Sequence, residues 1–250
     1  MKVTAGEKTH CYGMNSNKVI ERLKDIIFPK RCALCDEPIR GEGIGACDKC
    51  VKRIKYCRGH VCVKCGRICD EGHLYCNDCQ KIGHVFDAGR FPLSYECVAE
   101  SIFRFKYHNR PEYAFFYANM IYSELAEWIK SLKADALIPV PLHEARQRKR
   151  GYNQAAELSK AISRLTGIPT FDDVAFRIRN TVPQKENDGR QRQINVKKAF
   201  IIKENVVKLN TIIIVDDIFT TGSTIDSLAE AFRQTGVTRI FFITVTGAGT

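Results

Sequence analysis

The chain of 250 residues contains no apolar run near the roughly 18 residues that a membrane-spanning helix requires. Its greasiest stretches, around Ile212 and Phe241, have the length of buried strands. Met1 to Asn17 lacks the apolar segment of an export signal, so the cysteines are expected to work in the cytoplasm, as metal ligands instead of disulfides. A G-x4-G-K-[ST] loop is missing throughout, which removes the P-loop nucleotide hydrolases from consideration. Two further scarcities are local. Of the twelve cysteines, only Cys97 lies beyond residue 80. Between residues 32 and 84 large aliphatic side chains are scarce, too few to hold that segment folded by burial alone.

A repeated cysteine pattern fills this core-poor segment. Cys32-x2-Cys35 is followed by Cys47-x2-Cys50, and Cys62-x2-Cys65 by Cys76-x2-Cys79. A C-x2-C turn presents both sulfurs to one side, and two opposed turns complete a tetrahedron for Zn²⁺. Four thiolates leave no position open for water, so both sites are expected to be structural, each contributing on the order of 10 kcal/mol to folding. Cys69 and His73 lie close enough in sequence to replace a ligand in the second quartet, but the regular spacing favours the four cysteines. Val19 to Phe28 has helical periodicity and is expected to lead into the module from a loose tail over residues 1–17.

The formal charge of +11 falls to about +7 when two four-thiolate zinc sites are counted. The excess is concentrated, with 17 Lys/Arg against 11 Asp/Glu in residues 1–90 and 15 against 7 in residues 141–210. Such regions suit a polyanionic partner as well as a solvated basic surface.

From Phe86 onward the composition is that of a globular α/β domain. The periodicity predicts a helix from about Pro111 to Leu132, a strand from Ala136 to Val140 and a helix from Asn153 to Leu165. Extended pieces follow near 174–182 and 199–202, then a strand from Thr211 to Val215, a helix from Ser223 to Gln234 and a strand from Arg239 to Val245. This order implies a parallel sheet with crossover helices. Asp216 and Asp217 end an all-aliphatic strand, at the carboxyl edge where open α/β sheets bind ligands. Thr220, Thr221, Gly222, Ser223 and Thr224 then open a helix with N–H groups and hydroxyls suited to a phosphate.

Thr211 to Thr224 closely resembles the phosphoribosyl-pyrophosphate (PRPP) binding motif of type I phosphoribosyltransferases. Further motifs are the paired zinc knuckles, Phe105-Lys-Tyr107, the strand end Pro139-Val-Pro-Leu-His143, Arg150-Gly-Tyr-Asn-Gln154 and a polar segment around Arg192 to Val196. Together they make the chain, from about Ile27 to Val245, similar to the ComF family of competence proteins.

The resemblance implies a type I phosphoribosyltransferase-like parallel sheet with flanking helices, preceded by a small four-cysteine zinc-ribbon module. It implies PRPP bound with Mg²⁺, Asp216 and Asp217 facing the ribose, and Thr220 to Thr224 facing the 5′-phosphate. It further implies a cytoplasmic protein of natural transformation that handles incoming single-stranded DNA, with a competence helicase and other DNA-uptake proteins as partners and association with the inner-membrane DNA channel. His143, Arg146, Arg148, Lys149, Arg150, Arg190 and Arg192 are the candidates for contacts to pyrophosphate or DNA.

The expected organisation is a tail over 1–17, the zinc module with its leading helix over 18–85 and the transferase-like domain over 86–250. Tyr56, Phe105, Tyr107 and Tyr152 are candidate stacking platforms for bases, with Phe105 expected in the core. No base-reading residues and no general base are legible. Three activities therefore stay open: a DNA-handling protein that binds PRPP, a Mg²⁺-dependent transferase acting on an unidentified acceptor, and a PRPP-sensing scaffold.

Overall fold

The computed structural model describes residues 29–39, 43–178, 199–203 and 208–248. The expected leading helix and most of the polar segment before Ala199 lie outside these residues. Among the described residues no helix is long and apolar enough to cross a membrane.

The sheet is built around β6 (Thr211–Phe219), flanked by β3 (Ala136–Pro139) on one side and β7 (Arg239–Gly247) on the other. Two short strands, β1 (Ala88–Arg90) and β2 (Leu93–Ser94), pair with successive stretches of β7, and every pairing is parallel. Burial on both faces accounts for the unbroken apolar run of β6, because a parallel sheet covered on two sides has no solvent face to mark with polar residues. Alternate residues divide between the faces. Ile213 and Val215 join Leu158 and Ile162 of α6 (Gln154–Thr166) and residues of α3 (Tyr95–Tyr107) and α4 (Tyr113–Leu132). Ile212 and Ile214 join Leu228 and Phe232 of α7 (Ser223–Gln234).

Most predicted elements are present with ends shifted by one to four residues, and the helix over Ser223–Gln234 has the expected limits. The extended pieces form an antiparallel pair, β4 (Ala175–Arg177) and β5 (Phe200–Ile202). Outside the zinc module, two helices among the described residues go beyond the predicted elements, α3 and the short α5 (Glu144–Arg150). In α3 only Val98, Ser101, Ile102 and Phe105 are buried, a stripe too narrow to stand out among charged neighbours.

The zinc module straddles the sheet. Its first part contributes Ala33 to the core under α3 and α4, where Tyr113 donates to Asp36 Oδ1 at 2.5 Å and Arg110 pairs with the same carboxylate at 3.2 Å. The second part contributes Cys62, Cys65 and Cys76 to the core on the α7 side. The connecting segment runs along β2: Tyr56 bridges Leu93, Cys57 N–H donates to Pro92 O at 2.8 Å, and Ser94 N–H donates to Lys55 O at 2.9 Å. An exposed strand edge, which would otherwise invite pairing with another chain, is thereby covered. The module needs few aliphatic residues because it borrows the core of the sheet. Its two helical turns are α1 (Asp48–Val51) and α2 (Asn77–Lys81).

Candidate functional site

In each cysteine quartet the four Sγ atoms lie within 4.8 Å of one another. Cys35 and Cys47 sulfurs are 3.9 Å apart, and those of Cys65 and Cys76 are 3.6 Å apart. A tetrahedron of sulfurs around Zn²⁺ at 2.3 Å has edges of about 3.8 Å, so both clusters are of the size zinc requires. Their acidity agrees. Burial pushes the Cys32 and Cys62 thiols up, but backbone N–H groups of the surrounding turns outweigh it and bring each down to about 7. Burial together with neighbouring sulfurs drives Cys50 and Cys79 well above the usual thiol range and Cys65 to about 12. In each quartet the thiol whose acidity is raised by backbone N–H groups sits beside thiols pushed up by burial and its charge, Cys50 in the first and Cys65 and Cys79 in the second, a conflict that a divalent cation relieves. Cys69 and His73 are not members of the cluster; the Cys69 thiol points to the His73 carbonyl at 3.3 Å. Zn²⁺ would here be held by cysteines alone, and its contribution is cross-linking.

The second centre is a cavity of about 490 Å³ at the carboxyl edge of the sheet. β3 ends at Pro139, opposite Val215, whereas β6 continues four residues further along β7. Asp216 and Asp217 thus have no strand beside them on the β3 side, and that gap is the cavity. The sheet edge explains why a strand with buried residues to its end still presents carboxylates to a ligand.

The two acids have different surroundings. Asp217 is 7% exposed and forms an ion pair with Lys106 Nζ at 2.8 Å. Burial works against the Lys106 charge, but Asp217 and then Asp216 override it and hold the ammonium above its ordinary range. Asp216 lines the cavity, and its Oδ1 accepts from Asp217 N–H at 2.8 Å. Burial, and then the adjacent Asp217 charge, push Asp216 up to about 7 despite the opposing pull of Lys106 and Arg177. Three arginines, Arg146, Arg150 and Arg177, complete the lining, so cations outnumber carboxylates and the cavity is suited to a strongly anionic ligand.

At the far side, Thr220, Ser223 and Thr224 line the cavity. The first N–H groups of α7 have no partner inside the helix and its positive end faces the same space, which is how helix termini bind phosphate. Thr221 and Gly222 are not part of the lining; Gly222 (φ +80°) turns toward His84.

The basic run after His143 is sorted by α5. Arg146 and Arg150, four apart, share the face toward the cavity. Arg148 is on the outer surface, paired with Glu144 at 2.9 Å, and Lys149 is exposed. His143 caps the helix through Nδ1, which accepts from Ala145 N–H at 3.3 Å. Arg190 and Arg192 lie outside the described residues.

Lys106, Asn153, Gln154 and Arg177 line the cavity although they were not singled out as site residues. Lys106 stands in the Phe105-Lys-Tyr107 motif, one helical turn after Ile102, but no local pattern ties it to Asp217. Of the aromatic candidates, Phe105 is fully buried, while Tyr56 and Tyr152 are partly buried. Tyr107 is 51% exposed, with the Arg150 guanidinium 4.8 Å from its ring centroid. Beside it Phe103, absent from the sequence-based candidates, is 54% exposed at a ring separation of 5.0 Å.

Residues 23–80 match the double zinc ribbon domain and residues 125–249 the phosphoribosyl transferase domain. The chain is 33% identical over 231 residues to Competence protein F of Haemophilus influenzae, covering 85% of this chain and 95% of that protein. It is 28% identical to DNA utilization protein YhgH of Salmonella typhi, with 86% of this chain and 96% of the relative covered. With Competence protein ComFC of Bacillus subtilis the identity is 26%, over 76% of this chain and 78% of the relative. Two ribbon-sized cysteine clusters clasping a phosphoribosyltransferase sheet, in a chain with this likeness to Competence protein F, belong to the ComF family of competence proteins.

Proposed function

We propose that this protein binds PRPP with Mg²⁺ in the cavity above Asp216 and Asp217, and that it handles single-stranded DNA in the cytoplasm during DNA uptake. The observation carrying the first part is the cavity itself, where a helix terminus with hydroxyls faces two carboxylates across a space bordered by four cations. A 5′-phosphate suits the Thr220, Ser223 and Thr224 end, the carboxylates suit the ribose diol, and Lys106, Arg146, Arg150 and Arg177 suit a pyrophosphate. Mg²⁺ binds through one or two carboxylates together with substrate phosphates, and Asp216, being at the lining, is the group it would ionise; the cation would neutralise pyrophosphate charge. Within this chain Lys106, paired with Asp217 at 2.8 Å, holds that carboxylate in place at the lining.

Support for the second part comes from the names of the relatives, competence and DNA utilization, and from a surface next to the cavity. Phe103, Tyr107, Arg148, Lys149 and Arg150 combine exposed rings with cations, the pairing by which single strands are held without sequence preference. A competence helicase and other DNA-uptake proteins, at the inner-membrane DNA channel, are the partners this reading implies.

Calorimetric titration with PRPP and Mg²⁺ tests the assignment. Asp216→Ala with Asp217→Ala abolishes the heat of binding and leaves two zinc ions per chain; retained binding overturns the site. A second reading, transfer of the phosphoribosyl group to an acceptor with loss of pyrophosphate from C1, is favoured by the intact acid pair and is distinguished by pyrophosphate release during turnover.

A further inference from the structure

The phosphate loop rests from behind on the second zinc ribbon. A Cβ at Gly222 would stand 2.9 Å from His84 Cε1 and 3.1 Å from the Phe219 ring, so His84 fills the hollow that the glycine leaves. His84 follows the second quartet in sequence, and its Nδ1 lies 2.7 Å from Asp226 Oδ2 in the first turn of α7. The other oxygen of Asp226 accepts from Val85 N–H at 2.8 Å, and the His84 ring stacks on Phe86 at 4.6 Å.

Arg67, two residues after Cys65, makes the second link. Its guanidinium donates to the Thr220 carbonyl, pairs with Asp78 between Cys76 and Cys79, and lies 5.4 Å from the Phe219 ring centroid. One side chain therefore joins both knuckles of the quartet to the loop. In a trans peptide the C=O and the following N–H point in opposite directions. A Thr220 carbonyl turned back to Arg67 thus aims the Thr221 N–H away from the ribbon.

The ribbon is itself fixed to the sheet. Gly66 (φ +80°) sits so close that a Cβ would meet the Gly89 carbonyl at 2.8 Å, and Gly89 N–H donates to Lys64 O at 2.8 Å. The first ribbon, by contrast, packs under α3 and α4 on the opposite face.

We propose that Arg67 and His84 are positioning residues for the phosphate loop, and that zinc in the Cys62, Cys65, Cys76 and Cys79 quartet and PRPP in the cavity raise each other's affinity. This inference rests on the reading of the cavity as a PRPP site. Metal in the quartet fixes both knuckles, the knuckles fix Arg67 between Asp78 and Thr220, and the loop is held ready instead of being ordered on binding. Linkage makes the effect reciprocal: PRPP must raise the affinity of the second quartet for zinc by the factor with which that zinc strengthens PRPP binding.

The test uses the full chain with both zinc sites filled, PRPP with Mg²⁺ as ligand and a zinc-selective chromophoric chelator. Arg67→Ala is expected to keep two zinc ions and to bind PRPP about tenfold more weakly, in line with loss of a charged hydrogen bond. Arg67→Lys, which can still donate to Thr220 O, recovers most of the affinity. Arg58→Ala breaks the bond to Glu124 on the other side of the module and leaves the affinity unchanged. In the wild type PRPP lowers the equilibrium transfer of one of the two zinc ions to the chelator; in Arg67→Ala it does not. Wild-type affinity in a zinc-loaded Arg67→Ala protein, or an equilibrium zinc transfer indifferent to PRPP in the wild type, overturns the coupling while the PRPP site stands. A wild type that fails to bind PRPP overturns both.

Discussion

Asp216 and Asp217 are adjacent in sequence, yet the fold gives them different surroundings. Asp217 has Lys106 at 2.8 Å, whereas Asp216, partly buried at the cavity lining and beside a second carboxylate, is pushed up to about 7 by desolvation and then by the Asp217 charge. A carboxyl whose folded pKa exceeds its unfolded value binds more protons in the native state between the two. Its contribution to stability is therefore full below about 4 and is lost as the pH rises through about 7. Asp216→Asn is expected to be more stable than the wild type at pH 8, on the order of 1–3 kcal/mol after discounting for cavity water, and equal to it near pH 4. Urea titrations at the two pH values decide; a gap independent of pH would refute the electrostatic account. The acid pair was legible because two aspartates close an aliphatic run before a polar helix start. Its counter-charge was not, since Lys106 lies 111 positions before Asp217 and only the packing of α3 against the sheet brings the two together.

Among the elements, α5 shows how seven residues divide a basic run between two tasks. Arg146 and Arg150 reach the cavity, Arg150 also lying 4.8 Å from the Tyr107 ring centroid, while Arg148 and Lys149 are exposed on the surface. Arg148→Ala with Lys149→Ala is expected to reduce the salt dependence of single-stranded DNA binding by up to about two phosphate contacts, with PRPP affinity intact. Phe103→Ala with Tyr107→Ala leaves that slope unchanged and weakens binding, since stacking contributes about 1–3 kcal/mol per base. Fluorescence anisotropy across a salt series reads both; unaltered affinity in both double variants would clear this surface of DNA. The sequence showed the cluster of charge but not its partition, which follows from the angular spacing of a helix whose existence went unpredicted.

At the scale of the molecule, the two ribbons share the cores on either face of the sheet. Cys62 and Cys65 are part of the core beneath α7, Ala33 is part of the core beneath α3 and α4, and Arg90 donates to the Cys62 carbonyl while lying 5.5 Å from the ring of Trp128. The single tryptophan therefore reports on the ribbon. Chelation of both zinc ions is expected to change its fluorescence and to lower Tm by more than about 10 °C, consistent with the folding energy of such sites. Denaturation followed by tryptophan and by far-ultraviolet circular dichroism should coincide; separate transitions would mean that ribbon and sheet fold independently.

What the sequence by itself determined are features carried by local spacing: two cysteine quartets, a buried strand ending in paired acids, a polar helix start and the alternation of strands and helices. These are legible because a C-x2-C turn, a strand buried on both faces and a helix terminus each need particular residues at short fixed intervals. Only the tertiary structure decided that Lys106 faces Asp217, that Arg146 and Arg150 line the cavity while Arg148 does not, and that Arg67 and His84 of the second ribbon and its exit meet the loop before α7. Those contacts join residues as far as 153 positions apart, and no local pattern encodes them because packing against a common sheet is what brings them together.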